Sequence, residues 1–422
     1  MRQKTLDTSK LYFITLLLLT INATSFAQFT LSGELRPRTE LTHGFKTLAA
    51  PGQNVGIFTT QRTRLNVAYT NPNYKIGIVL QDIRTWGSES QLNLSDGNLS
   101  LHQAWLDVRL DSLITMKAGR QELVYDDHRI FGSVGWAQQA RSHDVAILKY
   151  EGKIKMHFGA AFNQDSPTLT DNNYTVAKSY KAFQYLWFNM PIGESVKLSM
   201  LVLNNGVGVS SIQYSQTIGT YLKFKKKKLQ TNGNFYYQMG KDGSGKQLNA
   251  FDARLEIKYD ISKKIAMAIG YERLSGTDQL ESDTLTNYSF SPLYGTNHKF
   301  NGWMDYFYVG NHVNSVGLQD IYISIPMDIN DKNGISLTAH NFSAAADVVD
   351  ATGDVMENNL GYELDLLYTH KVSSDLQIKV GYSQLFGTAT MERIKSASTG
   401  SKDELNTWAW VMMTVKPTFF TK

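Results

Sequence analysis

Arginines recur at every second position in several short segments of this 422-residue chain. Arg36 and Arg38 occur in GELRPRTE, and Arg62 and Arg64 occur in QRTRLNVAY. A guanidinium is a planar fork of donors that matches carboxylates and sulfates in bidentate geometry. Arginines that share one face of an element can therefore bind an anion, or line a path along which anions pass.

Acids alternate with these arginines, so the candidate site has two interpretations. The residues predicted to line a solute or ion conduit are Arg36, Arg38, Arg62, Arg64, Arg84, Arg109, Arg120, Arg129, Arg141, Arg254, Glu34, Asp107, Glu122 and Asp144. In the functional interpretation they form an arginine-containing conduit with a preference for anions. In the structural interpretation they form a lattice of salt bridges that holds the wall and neutralises itself. The sequence leaves both open.

The elements that must position these side chains are strands. In FDARLEIKYD, residues 251–260, every second residue is apolar and every residue between them is charged. A period of two is the strand period, because successive side chains leave opposite faces of the pleat. This segment therefore predicts a strand with one apolar face and one ionic face, and the apolar face meets either a protein core or a lipid bilayer.

The N-terminal segment indicates export. Arg2, Lys4 and Lys10 precede the apolar run LYFITLLLLTI, and Ser25 and Ala27 lie at −3 and −1 of a cut before Gln28. These are the three regions of a secretory signal peptide, and the run is too short to span a bilayer of about 30 Å. We expect residues 1–27 to be the signal peptide and residues 28–422 to be a single domain.

Composition narrows the function classes. The chain contains no cysteine, so no disulfide or thiol chemistry is expected. The formal charge is +4, and removal of the signal peptide leaves about +2, too little for general attraction to nucleic acid. No apolar run of 18 residues follows the signal peptide, so a membrane-embedded form of this chain has to be a closed barrel.

About 18 strand-like segments follow one another after the signal peptide, and the connections between them largely alternate between short and long. Outer-membrane barrels have short periplasmic turns, long outer loops and even strand numbers. The predicted fold is therefore all-β: a transmembrane antiparallel up-and-down β-barrel of about 18 strands in the bacterial outer membrane, with the charged faces turned inward.

Two long connections are candidates for a constriction. The segment 274–313 is rich in Tyr, Phe, Trp and Asn, and 122–140 contains YDDHR. Each could fold into the mouth of a barrel, where aromatic rings could stack on sugars, or could remain an ordinary surface loop. We take the surface loop as the default expectation. KFKKKK, residues 223–228, is interpreted as a solvated periplasmic turn.

Several stretches resemble the alginate-export family of outer-membrane barrels. The stretch AGRQELVYDDHRIFGSVGWAQQARSHDVAIL, residues 118–148, is similar to the signature of that family, and LYGTNHKFNGWMDYFYVGN, residues 293–311, is similar to a second stretch. GELRPRTE, QRTRLNVAY and LHQAWLDV fall where related strands would lie. The resemblance implies an 18-stranded monomeric porin, and the best-known members of the family export an anionic polysaccharide.

The sequence therefore predicts a porin or export channel for anionic or oligosaccharide solutes, with an alginate-like polysaccharide among the candidates. A barrel that acts as a scaffold or adhesin through its loops, or a barrel lipase, are the alternatives. RSHD, residues 141–144, cannot form a catalytic triad because neighbours on a strand face opposite sides, so no enzyme is expected. No cofactor, metal ion or nucleic acid is expected. The expected partners are outer-membrane lipid and lipopolysaccharide, the barrel-assembly machinery, periplasmic export proteins and the solute.

Overall fold

The structure is a computed structural model that describes residues 27–170, 174–176, 179–208, 211–307, 312, 315–395 and 399–422. The predicted signal peptide lies outside these residues except for Ala27, and so do residues 308–311 of the second resembling stretch. No helix in the described part of the chain is both long enough and apolar enough to cross a membrane.

Nearly all of the regular structure is β-strand. The strands are β1 (Gln28–His43), β2 (Gly56–Thr70), β3 (Tyr74–Thr85), β4 (Leu99–Arg109), β5 (Ile114–Gln121), β6 (His143–Glu151), β7 (Lys155–Phe162), β8 (Ala182–Ile192), β9 (Val196–Val207), β10 (Gln213–Lys226), β11 (Leu229–Lys241), β12 (Gln247–Asp260), β13 (Ala266–Leu274), β14 (Thr286–Asn287), β15 (Leu318–Asp328), β16 (Asn333–Ser343), β17 (Asn359–Lys371), β18 (Leu376–Gly387), β19 (Asn406–Val415) and β20 (Thr418–Thr421). A 3-10 helix spans Asn297–Lys299, and the helix α1 spans Ala389–Lys395.

The strands form one closed antiparallel barrel. Each wall strand pairs with the next along the chain, β13 pairs with β15, and β19 pairs with β1 to close the cylinder. β14 is a two-residue strand in a loop, and β20 continues the edge of β19 against β1 after a break at Pro417, which has no N–H to donate. The wall therefore has 18 strands, which confirms the predicted fold class.

Side chains alternate between the two faces of the wall as predicted. On β12, Leu255 is 51% exposed on the outer face, whereas Asp252 is 0% exposed on the inner face. The charged residues Arg254, Glu256 and Lys258 share the inner parity. A register slip of one residue would turn these charges toward lipid, at about 2–4 kcal/mol for each Arg or Lys near the midplane.

The apolar outer face has the height of a bilayer core. On β12 it runs from Phe251 to Tyr259, and eight steps of about 3.3 Å at a tilt of about 40° give a band roughly 20 Å tall. Exposed aromatic rings occur at both edges, for example Tyr74 and Tyr259 at one edge and Tyr271 and Tyr362 at the other. Aromatic girdles at this spacing are typical of transmembrane barrels.

Loop length differs between the two ends of the barrel. The short turns include the two residues between β10 and β11, where Lys227 adopts a left-handed backbone with φ of 53°. The long connections include 122–142 between β5 and β6 and 275–317 between β13 and β15. The short-turn end is the periplasmic end by the architecture of outer-membrane barrels.

Candidate functional site

Two long loops fold into the barrel instead of covering its mouth. We call residues 122–142 the first inner loop and residues 275–307 the second inner loop. Within the second, Met304 and Tyr306 are both 0% exposed, and Asn301 donates to the wall residue Glu272 at 2.6 Å. The default expectation of a surface loop was therefore wrong for this segment. The loop is held inside because its polar atoms are bonded to the inner wall.

The arginines of β1 hold the first inner loop. The guanidinium of Arg36 donates to the carbonyl of Gly135 at 2.6 Å, and its Nε donates to Oε1 of Gln138 at 3.0 Å. Arg38 donates to the carbonyl of Trp136 at 2.8 Å. Because a guanidinium has five donors in a fixed fork, one arginine can satisfy several carbonyls of a loop that forms no regular structure.

Arg62 and Arg38 are paired with acids of the wall, and Arg64 lies near an acid of the first inner loop. Arg62 donates to Glu34 at 3.0 Å, and Arg38 donates to Glu40 at 2.8 Å. Arg64 donates to Gln81 at 2.7 Å and lies 3.8 Å from Glu122. These contacts form the salt-bridge lattice that the structural interpretation predicted. Much of the field of these arginines is thereby compensated.

Arg129 links the first inner loop to the opposite wall of the lumen. It is 1% exposed, and its guanidinium lies 2.9 Å from Glu272 and 3.4 Å from Asp252. Its terminal nitrogens also donate to Asn297 and Asn301 of the second inner loop, at 3.4 and 3.2 Å. One buried cation thus compensates two buried carboxylates and joins both loops to β12 and β13.

The second inner loop is bonded to the wall and to the first loop. The N–H of Met304 donates to Glu363 of β17 at 2.9 Å. Between the loops, the N–H of Gly132 donates to the carbonyl of Tyr294 at 2.9 Å, and the rings of Trp136 and His298 stack at 4.5 Å. The loops therefore form one layer across the barrel.

Aromatic packing fills one side of the lumen. Phe131 of the first loop contacts Tyr185 on the β8 wall, with ring centroids 5.0 Å apart, and stacks on Tyr294 of the second loop at 5.7 Å. Phe183 and Tyr180 extend the same cluster. Since this side is a packed apolar core, water-filled space is confined to the rest of the cross-section.

Three cavities lie along that remaining space. The outer cavity has a volume of about 650 Å³ and is lined by Arg38, Phe45, Trp136 and His298 among others. The central chamber has about 410 Å³, and the periplasmic vestibule has about 650 Å³. His298 lines the outer cavity whereas Lys299 and Phe300 line the chamber, so the second inner loop separates the two. The chamber and the vestibule meet at Lys258, which lines both.

The central chamber has balanced formal charges, but not all of them are compensated. Four cations and four acids line it: Lys223, Arg254, Lys258, Lys299, Asp126, Asp127, Glu256 and Glu272. Arg254 is bonded to Glu256 at 2.7 Å, and Lys299 donates to the carbonyl of Asp127 at 2.9 Å. The side chains of Lys223 and Lys258 form no hydrogen bond or ion pair with any described residue. The chamber therefore presents two free ammonium groups.

Burial shifts the pKa of two ionisable groups that the inner loops contribute to this chamber. Burial raises the pKa of Asp126 to about 6, against the hydrogen bonds that it accepts from Ser199 and Trp187. Burial also lowers the pKa of Lys299, against the attraction of Asp127. Asp126 thus changes its charge close to neutral pH.

The periplasmic vestibule is basic. Seven lysines and three aspartates line it: Lys228, Lys258, Lys263, Lys264, Lys332, Lys371, Lys379, Asp260, Asp328 and Asp331. This excess of positive charge lies at the short-turn end of β10 to β18. A mouth lined by one sign of charge raises the local concentration of the opposite ion.

Some predicted conduit residues do not lie in the conduit. Arg120 lies opposite Ala104 and Asp144 on the two neighbouring strands. It therefore shares the face of the sheet that carries the lipid-facing Leu106 and Leu148. Arg120 and Asp144 form an exposed 2.8 Å ion pair on the outer wall, so their assignment to the lumen was wrong.

Arg84 shares the parity of the lipid-facing Leu80 and is bonded to Asp82 and Asp96 at the outer rim. Arg84 also lines the outer cavity, so it lies at the outer mouth of the conduit and not on the inner wall. The strand period decides the face, and all three of these residues have the outward parity.

The other predicted residues lie on the inner wall or in the first inner loop. Arg109 is exposed at the periplasmic end of β4, and Asp107 on the same face binds Lys149 at 3.2 Å. Arg141 donates to the carbonyl of Gly295 at 3.1 Å. The sequence analysis missed Lys223 and Lys258 as candidates, although both alternate with apolar residues in YLKFK and LEIKY.

Comparison with known proteins shows the fold but not a family. No protein-family model matches the chain, and no curated protein matches it. Three solved structures each match 93% of the chain. OccK9 (OpdG) of Pseudomonas aeruginosa matches over 98% of its own length, with 11% sequence identity and a TM-score of 0.62, and the outer membrane protein opdK of the same organism matches over 99% of its own length, with 10% identity and a TM-score of 0.63. OccAB4 of Acinetobacter baumannii matches over 98% of its own length, with 11% identity and a TM-score of 0.61.

These neighbours confirm the closed 18-strand β-barrel fold. The resemblance to the alginate-export family receives no support from them. At this level of identity the likeness concerns the fold, so the solute has to be argued from the lumen of this chain.

Proposed function

We propose that this protein is a passive outer-membrane channel for small anionic solutes. The observation that carries the proposal is the series of uncompensated lysines from Lys223 and Lys258 in the chamber to Lys332 and Lys371 in the vestibule. Fixed charges of one sign along a water-filled path set the selectivity of a pore. In this proposal the arginines of β1 and β2 act chiefly as the frame that holds the first inner loop.

The size of the chamber favours small solutes over polymers. The two inner loops leave a central space of about 410 Å³, which is at the lower end of the volumes of small-molecule sites. A polysaccharide would have to displace the layer in which Trp136 and His298 stack. An alginate-like polymer is therefore not part of the proposal.

The proposal is tested by ion selectivity in planar lipid bilayers under a KCl gradient. Replacing Lys332 and Lys371 with Gln removes two vestibule charges, and we expect the chloride-to-potassium permeability ratio to fall by about twofold or more. The matched control replaces Lys241 and Lys246, which lie at the opposite end of the barrel, and is expected to leave the ratio unchanged. Equal ratios in all three proteins would contradict the proposed role of the vestibule.

A further inference from the structure

The central chamber has polar groups that the protein itself does not use. The hydroxyl of Tyr221, the amide of Gln230 and the ammonium groups of Lys223 and Lys258 form no hydrogen bond or ion pair with any described residue. A water-filled pore needs polar walls, but four unused donors that converge on a chamber of about 410 Å³ are the arrangement of a binding site.

The sheet register brings these groups together. Tyr221 and Lys223 lie on β10, Gln230 lies on β11, and Lys258 is paired directly with Gln230 on β12. Strand spacing and rise place the Cα atoms of Lys223 and Lys258 about 12 Å apart on the same face. Each lysine side chain reaches roughly half of that distance, so both ammonium groups can approach one anion held between them.

Two of the four acids of the chamber, Glu256 and Glu272, are already bonded to cations and amides of the protein itself. Glu256 accepts from Arg254 at 2.7 Å and from Asn232 at 3.0 Å. Glu272 lies 2.9 Å from Arg129 and accepts from Asn301 at 2.6 Å. An incoming anion therefore meets the two free lysines, whereas these carboxylates are already neutralised.

Two aromatic rings of the second inner loop line the chamber in different ways. Phe300 is covered by cations, with the guanidinium carbons of Arg129 and Arg254 at 4.6 and 5.4 Å from its ring centre. Trp303 is half-buried, and its ring stacks on no other ring or cation among the described residues. The indole packs partly against the hydrophobic core, and its remaining surface lines the chamber beside hydroxyl, amide and ammonium donors.

We propose that the central chamber is a binding site for acidic sugars of one or two rings, a proposal that rests on the channel function above. The carboxylate lies between Lys223 and Lys258, the apolar face of the sugar ring packs on Trp303, and ring hydroxyls bond to Tyr221 and Gln230. A simple inorganic anion would leave Trp303 and the amide unused. A neutral sugar would leave both ammonium groups unpaired in a confined space.

Binding is measured by isothermal titration calorimetry on the whole protein in detergent, with D-glucuronate, D-glucose and benzoate as probes. We expect glucuronate to bind at least about tenfold more tightly than glucose, which lacks the carboxylate, and than benzoate, which lacks the hydroxyls. The double change Lys223→Gln and Lys258→Gln is expected to weaken glucuronate binding by about tenfold or more. Trp303→Leu is expected to weaken it as well.

The control is Lys153→Gln, at an exposed position of the β6–β7 turn, which is expected to bind glucuronate like the unaltered protein. The migration of unheated protein on a denaturing gel verifies that each variant remains a folded barrel. Benzoate binding as tight as glucuronate binding, or undiminished binding by the double variant, would overturn the proposal. Because calorimetry needs no conduction, a protein that binds glucuronate but forms no pore refutes the channel, and a pore that binds none refutes the site.

Discussion

At the residue scale, the arginines and lysines of the inner wall have different roles. Arg36, Arg62 and Arg129 are all at least nine-tenths buried, and each is bonded to loop carbonyls or to carboxylates. Lys223 and Lys258 are left to the solvent of the chamber. The residue types predicted a charged inner face, but which charges are compensated depends on partners far apart in sequence, such as Arg36 and Gly135.

Removal of Arg129 is expected to destabilise the barrel. Arg129→Ala would leave Asp252 and Glu272 buried with no cation between them, and breaking such a pair costs about 3–5 kcal/mol. We expect the unfolding midpoint in urea to fall markedly relative to the unaltered protein. Arg109→Ala, at an exposed position, is the control and is expected to change stability by less than about 0.5 kcal/mol. A normal midpoint for Arg129→Ala would refute the bridging role.

Asp126 is expected to make ion selectivity depend on pH. Its pKa is raised to about 6, so it is negative at pH 8 and neutral at pH 5. Protonation removes one negative charge from the chamber, and anion preference should therefore increase as the pH falls through about 6. The folded state favours the protonated form, so the fold loses stability as the pH rises from 3.8, the ordinary pKa of the group, to about 6, and above pH 6 the effect of this group is constant.

The measurement is the reversal potential of the channel at pH 8, 7, 6 and 5. Asp126→Asn should show the acidic-pH selectivity throughout and lose the step near pH 6. A step of unchanged size in the Asn variant would assign the titration to another group.

At the element scale, the strands were predictable and the inner loops were not. The alternation in FDARLEIKYD is local, so the sequence alone assigns the inner and outer faces of β12. The inward path of 275–307 depends on bonds to residues distant in the chain, for example from Met304 to Glu363. The unusual length and aromatic content of the loop made it a candidate constriction, but they did not indicate whether it folds into the barrel or stays at the surface.

The contact between the two inner loops is expected to limit conductance. A Cβ at Gly295 would lie 2.2 Å from the carbonyl oxygen of Arg129, so Gly295→Ala forces the backbones of the loops apart. We expect larger single-channel conductance, because the layer between the outer cavity and the chamber loosens. Gly243→Ala, whose added Cβ would meet only Val207 at 3.4 Å, is the control. An unchanged conductance for Gly295→Ala would show that the solute path avoids this contact.

At the scale of the whole molecule, strand number and closure followed from the sequence, because segment period and connection length are both local properties. The pairing of Arg62 with Glu34, which compensates both charges, did not follow from the sequence, since it is a property of the assembled wall. The outward positions of Arg84, Arg120 and Asp144 show the same limit, because parity near a strand end depends on where the strand begins.

Anion preference across a bilayer is the property that joins the chamber, the vestibule and the barrel. The most direct test is the sign of the reversal potential of the unaltered protein in a planar lipid bilayer under a KCl gradient. The lysine path predicts steady ohmic current steps and a sign that corresponds to chloride passing more readily than potassium. A cation-selective sign, or the absence of current steps from folded protein, would contradict the proposed channel for anionic solutes.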